Sequence, residues 1–288
     1  MAQILTGSQF EVLAELLSPA GMAPSRPDAA AVQALEGLGY LSGGAVTPAG
    51  LAAMEPYRVK RAVFLAAGFG SRLAPITFNT PKPLVRVRGE RIIDGLLDAC
   101  LAAGIEEIYL VRGYLAEQFD QLLYQYPMIR FLENPVYNET NNISSALCAR
   151  HLLCNAYVLE ADLVLSAPGL IRPYQYRSNF LAIPKTRTDD WCFEVRGGII
   201  TEEKIGGENC WQMVGISYWT GADGKKLAQD LKSVYEQPGG RECYWEQVPL
   251  VFRRQRYQVS VRACREEDVT EIDTFRELKA FDKSYDIG

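Results

Sequence analysis

An apolar run, Ala62-Val63-Phe64-Leu65, leads directly into a glycine turn, Ala66-Ala67-Gly68-Phe69-Gly70-Ser71, and no other stretch constrains the chain as much. Four consecutive apolar residues bounded by a turn read as a buried strand. Two glycines and two alanines leave the turn's backbone bare, so its N–H groups can face phosphate oxygens. Arg72 adds a planar, permanently charged fork, and Lys82 a flexible point charge. A dinucleotide turn would need a third glycine where Leu73 stands, and a P-loop would need Gly-Lys-Ser/Thr, which is absent. Leu65, Ala66, Ala67, Gly68, Gly70, Ser71, Arg72 and Lys82 therefore read as a site for a nucleoside triphosphate.

Beyond the turn, strands and helices alternate. Ile92, Ile93, Leu96, Leu97, Cys100 and Leu101 recur at helical spacing up to Gly104, and 107–111 reads as a strand. Leu115, Phe119, Leu122 and Leu123 mark a second helix, 129–132 a strand, 142–153 a third helix and 156–160 another strand. This order predicts an α/β fold: a Rossmann-like, mostly parallel sheet with helices on both faces. Ligands in such sheets bind beyond the C-terminal strand ends, where the glycine turn falls.

His151 is the only histidine in 288 residues, which excludes Ser-His-Asp and Cys-His catalysis and zinc sites built on several histidines. It sits in the run expected to be helical and reads as a surface or structural residue. Seven scattered cysteines form no CxxC pair, as suits reduced thiols in a cytoplasmic protein. Met1-Ala2-Gln3-Ile4 does not resemble a secretory signal, and no apolar run approaches the roughly 18 residues of a membrane span. Chemistry is left to carboxylates, cations and a metal. Asp162, just past the strand at 156–160 and on the side of the phosphate turn, suits Mg²⁺, which takes one or two carboxylates alongside substrate phosphates. Asp273 is either a second ligand or the N-cap of a helix over 275–281, and Glu271 ranks behind it.

Residues 1–57 have a different character. A helix over 8–17, a break at Pro19, Pro24 and Pro27, a helix over 28–38, a short hairpin through Gly43-Gly44 and a helix opened by Pro48 resemble a winged-helix module. Five acidic residues against Arg26 alone give it a net charge of −4, so it should repel nucleic acid. A packing, regulatory or homodimer-forming role is expected for it, with 58–288 as the catalytic domain. That domain is nearly neutral, with 29 basic and 30 acidic residues.

The turn and its continuation, Leu65-Ala66-Ala67-Gly68-Phe69-Gly70-Ser71-Arg72-Leu73, Pro75, Thr77 and Pro81-Lys82-Pro83-Leu84, resemble the signature of the sugar-nucleotide pyrophosphorylase superfamily, with every fixed position filled. Gly113-Tyr114, Asn141-Asn142-Ile143-Ser144-Ser145, Asp190-Trp191-Cys192 and Tyr244-Trp245-Glu246 are similar to the LicC-type CTP:phosphocholine cytidylyltransferases. The resemblance implies a GT-A-like nucleotidyltransferase fold and a Mg²⁺-dependent reaction of CTP with phosphocholine. It also implies Asp162 and Asp273 as metal ligands, Lys185 on the acceptor phosphate, and Gly113, Tyr114, Ser144 and Ser145 around the base. A quaternary ammonium is held by aromatic faces and nearby negative charge, which Asp190, Trp191, Tyr244, Trp245 and Glu246 supply. Thr140 and Ile143 depart from the phosphocholine pattern. The alternatives are 2-aminoethylphosphonate as acceptor, then a sugar 1-phosphate, or a non-catalytic nucleotide-sensing regulator.

Overall fold

The protein, a computed structural model, is described over residues 4–18 and 28–286, so the expected break at Pro19, Pro24 and Pro27 lies outside the described residues. Helix α1 (Gly7–Leu17) opens on a reciprocal cap: Thr6 accepts from the Gln9 N–H, and the Gln9 side chain accepts from the Thr6 N–H. Asp28 caps α2 (Ala29–Gly37). A hairpin of β1 (Leu41–Ser42) and β2 (Ala45–Val46) precedes α3 (Pro48–Met54), which Thr47 caps.

The central sheet begins with β3 (Arg61–Leu65). A small hairpin of β4 (Arg86–Val87) and β5 (Glu90–Arg91) leads to α4 (Asp94–Ala102) and β6 (Glu107–Arg112). Then follow β7 (Arg130–Glu133), α5 (Ile143–Cys148), β8 (Ala156–Glu160) and β9 (Leu163–Leu165). Two long strands, β10 (Asn179–Arg196) and β11 (Ile199–Trp219), precede α6 (Gly221–Tyr235), β12 (Ser260–Ala263), β13 (Val269–Glu271) and α7 (Phe275–Phe281). Seven strands form the sheet in the order β10-β12-β11-β8-β3-β6-β7. It is parallel from β8 to β7 and between β10 and β12, while β11 runs antiparallel to its neighbours.

Alternation along the central strands explains why their sequences are apolar throughout. Phe64, Leu110 and Leu159 pack on the face covered by α4, while Val63, Val111 and Val158 pack on the face covered by α5 and α6. A strand buried on both faces has no polar side to show. It is this packing that fixes β3 and β8 rigidly beside each other, with the glycine turn and Asp162 at the same sheet edge.

Two expected helices come out differently. Residues Ala116–Tyr124 form a 3₁₀ helix, because the buried Phe119 and Leu122 lie three apart and so share a face at three residues per turn, leaving Leu123 exposed. The run over 142–153 divides into α5 and a 3₁₀ turn, Arg150–Leu152, with His151 exposed.

The N-terminal helices close on the rest of the chain. Phe10, Leu13, Leu35 and Met54 share one apolar cluster with Tyr174, and the Tyr57 and Tyr176 rings stack at 5.5 Å. The Tyr176 hydroxyl donates to the Leu5 carbonyl at 2.9 Å, and Arg172 lies 3.6 Å from Glu11. Leu16, on α1, stands outside this cluster and is 50% exposed.

Candidate active site

Gly70 shows why the phosphate turn tolerates no side chain there. Its φ is +65°, and a Cβ would sit 3.0 Å from the Cβ of Lys82. The turn is braced from outside: Thr77 Oγ1 donates to the Gly70 carbonyl at 3.0 Å, and the Tyr114 hydroxyl donates to the Thr77 carbonyl at 2.8 Å. Beneath it lies a cavity of about 210 Å³ lined by Leu65–Gly68, Gly70, Arg72, Lys82, Asn142, Ser145, Glu160, Asp162 and Asp273. Most of the residues expected around the nucleotide meet here. Tyr114 instead holds the loop with its hydroxyl, Ser144 is buried under Asn134, and Gly113 is covered by the Tyr137 ring. A larger cavity of about 600 Å³ beside α6 is lined by none of Gly70, Arg72, Lys82, Asp162 or Asp273, so volume alone does not mark the site.

At the cavity floor Lys82 Nζ lies 2.7 Å from both Asp162 Oδ2 and Asp273 Oδ1, and Arg72 lies 2.9 Å from Asp273 Oδ2. Burial by itself would lower the pKa of the Lys82 ammonium, but the two carboxylates raise it above its ordinary value and keep it charged. Asp273 is not the cap of α7. Thr274 takes that role, accepting from the Glu277 N–H, and so Asp273 is released to face the cations.

Glu271 requires a correction. Carboxylate oxygens of Glu160, Asp162 and Glu271 come within 4.8 Å of one another. Ile272 is fully buried against Leu73 and Leu278, which turns the residues before and after it to the opposite side, toward the cavity. Burial and the charges of Asp162, Glu160 and Asp273 push the Glu271 carboxyl up to about 9. The Glu160 carboxyl is likewise raised, by burial first and Asp162 second. Asp162 Oδ1 is buried without a hydrogen-bond partner. An orphaned carboxylate oxygen amid crowded hard oxygen donors is the arrangement a divalent cation relieves.

The antiparallel pair β10–β11 carries the other side of the site. Lys185 lies 2.7 Å from Glu266, and Asp190 accepts from the Gln212 side chain at 3.3 Å. These residues share a cavity of about 410 Å³ with Glu271 and Asp273. The structure joins the two aromatic and acidic pairs noted in the sequence, for the Trp191 and Tyr244 rings meet at 5.4 Å. The segment bearing Tyr244–Glu246 is pinned to the nucleotide side: Asn142 Oδ1 accepts from the Trp245 N–H at 2.8 Å. Trp245 corrects its expected role, since its ring is only 3% exposed and stacks on Phe180 at 5.9 Å within the core. Its remaining share in the site is one wall of a narrow cavity with Glu160, Met213 and Glu246.

Glu203, on a strand of polar sequence, is turned inward by the pairing of β11 with β10, and neither oxygen of its carboxyl has a hydrogen-bond donor. Glu160, two residues before Asp162 at a strand end, was legible in principle.

A phosphate turn, a cation pair and clustered carboxylates at the C-terminal edge of this sheet define a nucleotidyltransferase. The Nucleotidyl transferase family matches residues 61–178. The chain is 36% identical over 228 residues to the 2-aminoethylphosphonate cytidylyltransferase of Lancefieldella rimae, covering 78% of this chain and 92% of the relative. It is 29% identical over 230 residues to the choline-phosphate cytidylyltransferase of Streptococcus pneumoniae, covering 77% of this chain and 97% of that protein. The solved structure of the CTP:phosphocholine cytidylyltransferase from Streptococcus pneumoniae superimposes with a TM-score of 0.73 at 27% identity, over 79% of this chain and 99% of that one. The chain belongs to the nucleotidyl transferase family, among its cytidylyltransferases.

Proposed function

We propose that the protein transfers the cytidylyl group of CTP to a small amine-bearing phosphate or phosphonate. An acceptor oxygen attacks the α-phosphorus, the bond from that phosphorus to the bridging oxygen of the β-phosphate breaks, and pyrophosphate leaves. The acceptor oxygen is already anionic, so no general base is needed, and catalysis reduces to alignment and charge stabilisation. The observation that carries this reading is Lys82, held between Asp162 and Asp273 at the floor of the phosphate-turn cavity. Arg72 and Lys82 steady the triphosphate and Lys185 receives the acceptor phosphate. Asp162 and Asp273, joined by Glu160 and Glu271, would hold Mg²⁺, which would supply charge neutralisation at the phosphates.

Phosphocholine is the acceptor that the sequence resemblance favours, and a relative of that kind supports it. The relative from Lancefieldella rimae, 36% identical, supports a primary amine, the 2-aminoethylphosphonate of its name. Pyrophosphate release from CTP and Mg²⁺ with phosphocholine, phosphoethanolamine and 2-aminoethylphosphonate tests the reading. Release with at least one of the three, abolished by chelating the metal, is expected. Nucleotide binding without release on any of them would leave a sensor rather than an enzyme.

A further inference from the structure

Asn142 stands between the two halves of the site. It lines the cavity beneath the phosphate turn, yet its Oδ1 accepts from the Trp245 N–H at 2.8 Å, on the segment that carries Tyr244 and Glu246. A side-chain amide has one accepting end and one donating end. With Oδ1 committed to Trp245, the N–H donors of Nδ2 are left over, and no acceptor meets them among the described residues. A free donor on the wall of a cavity suited to a nucleoside triphosphate has its natural partner in the ligand's oxygens.

The preceding residue stiffens this contact. Asn141 Oδ1 accepts from the Asn142 N–H at 2.7 Å, and Asn141 Nδ2 donates to the Glu242 carbonyl at 3.1 Å. The Asn141 N–H donates to the Arg241 carbonyl at 2.8 Å. The two asparagines thus grip the main chain of 241–245 at Arg241, Glu242 and Trp245. From that segment the connection continues to the acceptor side. The Tyr244 ring meets the Trp191 ring at 5.4 Å, and Trp191 follows Asp190, which shares a cavity with Lys185 and Gln212. Tyr244 is 38% exposed, so its place is set by its main chain and the Trp191 ring rather than by a core.

We propose that Asn142 couples the two substrates: Nδ2 donates to bound CTP while Oδ1 holds the Trp245 N–H, so that the nucleotide fixes the acceptor wall. The bistable element is the amide itself. The terminal torsion of an asparagine is broad and roughly two-fold, and a flipped amide would set Nδ2 against the Trp245 N–H. An acceptor oxygen of CTP on Nδ2 favours the orientation that holds Trp245, and with it Tyr244 against Trp191. Nucleotide and acceptor then strengthen each other's binding, by the same factor in either order. This coupling rests on the reading of the two cavities as nucleotide and acceptor sites, and holds whichever acceptor is used.

The test uses the full chain, Mg²⁺ and a CTP analogue with a methylene bridge between the α- and β-phosphorus, which cannot react. Dissociation constants of phosphocholine and 2-aminoethylphosphonate are measured by calorimetry with and without saturating analogue. In the wild type the analogue is expected to tighten the better-bound acceptor at least about fivefold. Asn142→Asp keeps an oxygen for the Trp245 N–H but has no N–H to donate. It should weaken analogue binding at least about threefold and reduce the tightening to less than about twofold, with acceptor affinity in the absence of nucleotide unchanged. Asn142→Ala should lose the tightening as well. A merely structural asparagine would weaken the acceptor equally with and without analogue, and a wild-type ratio retained in both variants would overturn the proposal. So would an analogue that leaves acceptor affinity unchanged in the wild type. Failure of the analogue to bind at all would overturn the nucleotide reading itself.

Discussion

Lys82 does two tasks at residue scale. It is the countercharge that lets Asp162 and Asp273 sit 2.7 Å from one ammonium, and it lines the cavity beneath the phosphate turn. Removing one charge-stabilising contact of this kind typically costs a hundredfold or more in turnover, so Lys82→Ala should lose at least about that factor in pyrophosphate release. Near-normal turnover would take Lys82 out of the chemistry. Glu203 gives a pH-dependent expectation. Burial raises its carboxyl to about 7, above its ordinary value, so over this window the folded chain binds a proton that the unfolded chain has lost. Stability from this group is thus complete below the unfolded pKa and is lost as pH rises through 7. Glu203→Gln should consequently match the wild type near pH 4.5 and exceed it increasingly up to pH 8, by at most about 3 kcal/mol. Thermal melts of both proteins across that range measure the difference, and a constant offset would contradict it.

At the scale of elements, the phosphate turn was readable because its residues serve one local geometry. Gly70 adopts a left-handed conformation against Lys82, and Gly70→Ala should cost about 1–2 kcal/mol of stability together with much of the turnover. Calorimetry with the pyrophosphate assay would show both, and an alanine variant indistinguishable from wild type would refute the packing argument. The parallel strands were equally legible, since burial on two faces leaves a continuous apolar word such as Ala62–Leu65. Helix 142–153 was legible in place but not in length. What stayed hidden was long-range. Glu203 faces inward only because Phe193 pairs with it, and Glu271 joins the carboxylates only because Ile272 is buried on the far side. Trp245 was misplaced for the complementary reason: adjacency to an acid in sequence does not reveal that its ring packs on Phe180.

At the scale of the whole molecule, the N-terminal helices share a core with Tyr174 and Tyr176, so their removal would strip apolar surface from the catalytic part. Deleting residues 1–57 should lower the melting temperature while sparing the phosphate turn and the carboxylates, which lie on other elements. A truncated chain as stable as the full one would show that the shared core contributes nothing. Five acidic residues against one basic residue predict no measurable binding of that segment to duplex DNA at physiological salt, as a titration against labelled duplex can verify. The long β10–β11 hairpin has a wider consequence. Lys185, Asp190, Trp191 and Gln212 all belong to this one continuous stretch, whereas the phosphate turn and Asp162 follow β3 and β8. On the proposed reading, recognition of the acceptor is therefore written largely on one continuous piece of chain. Exchanging that hairpin between such enzymes would swap one customer for another while the nucleotide-handling machinery goes on unchanged.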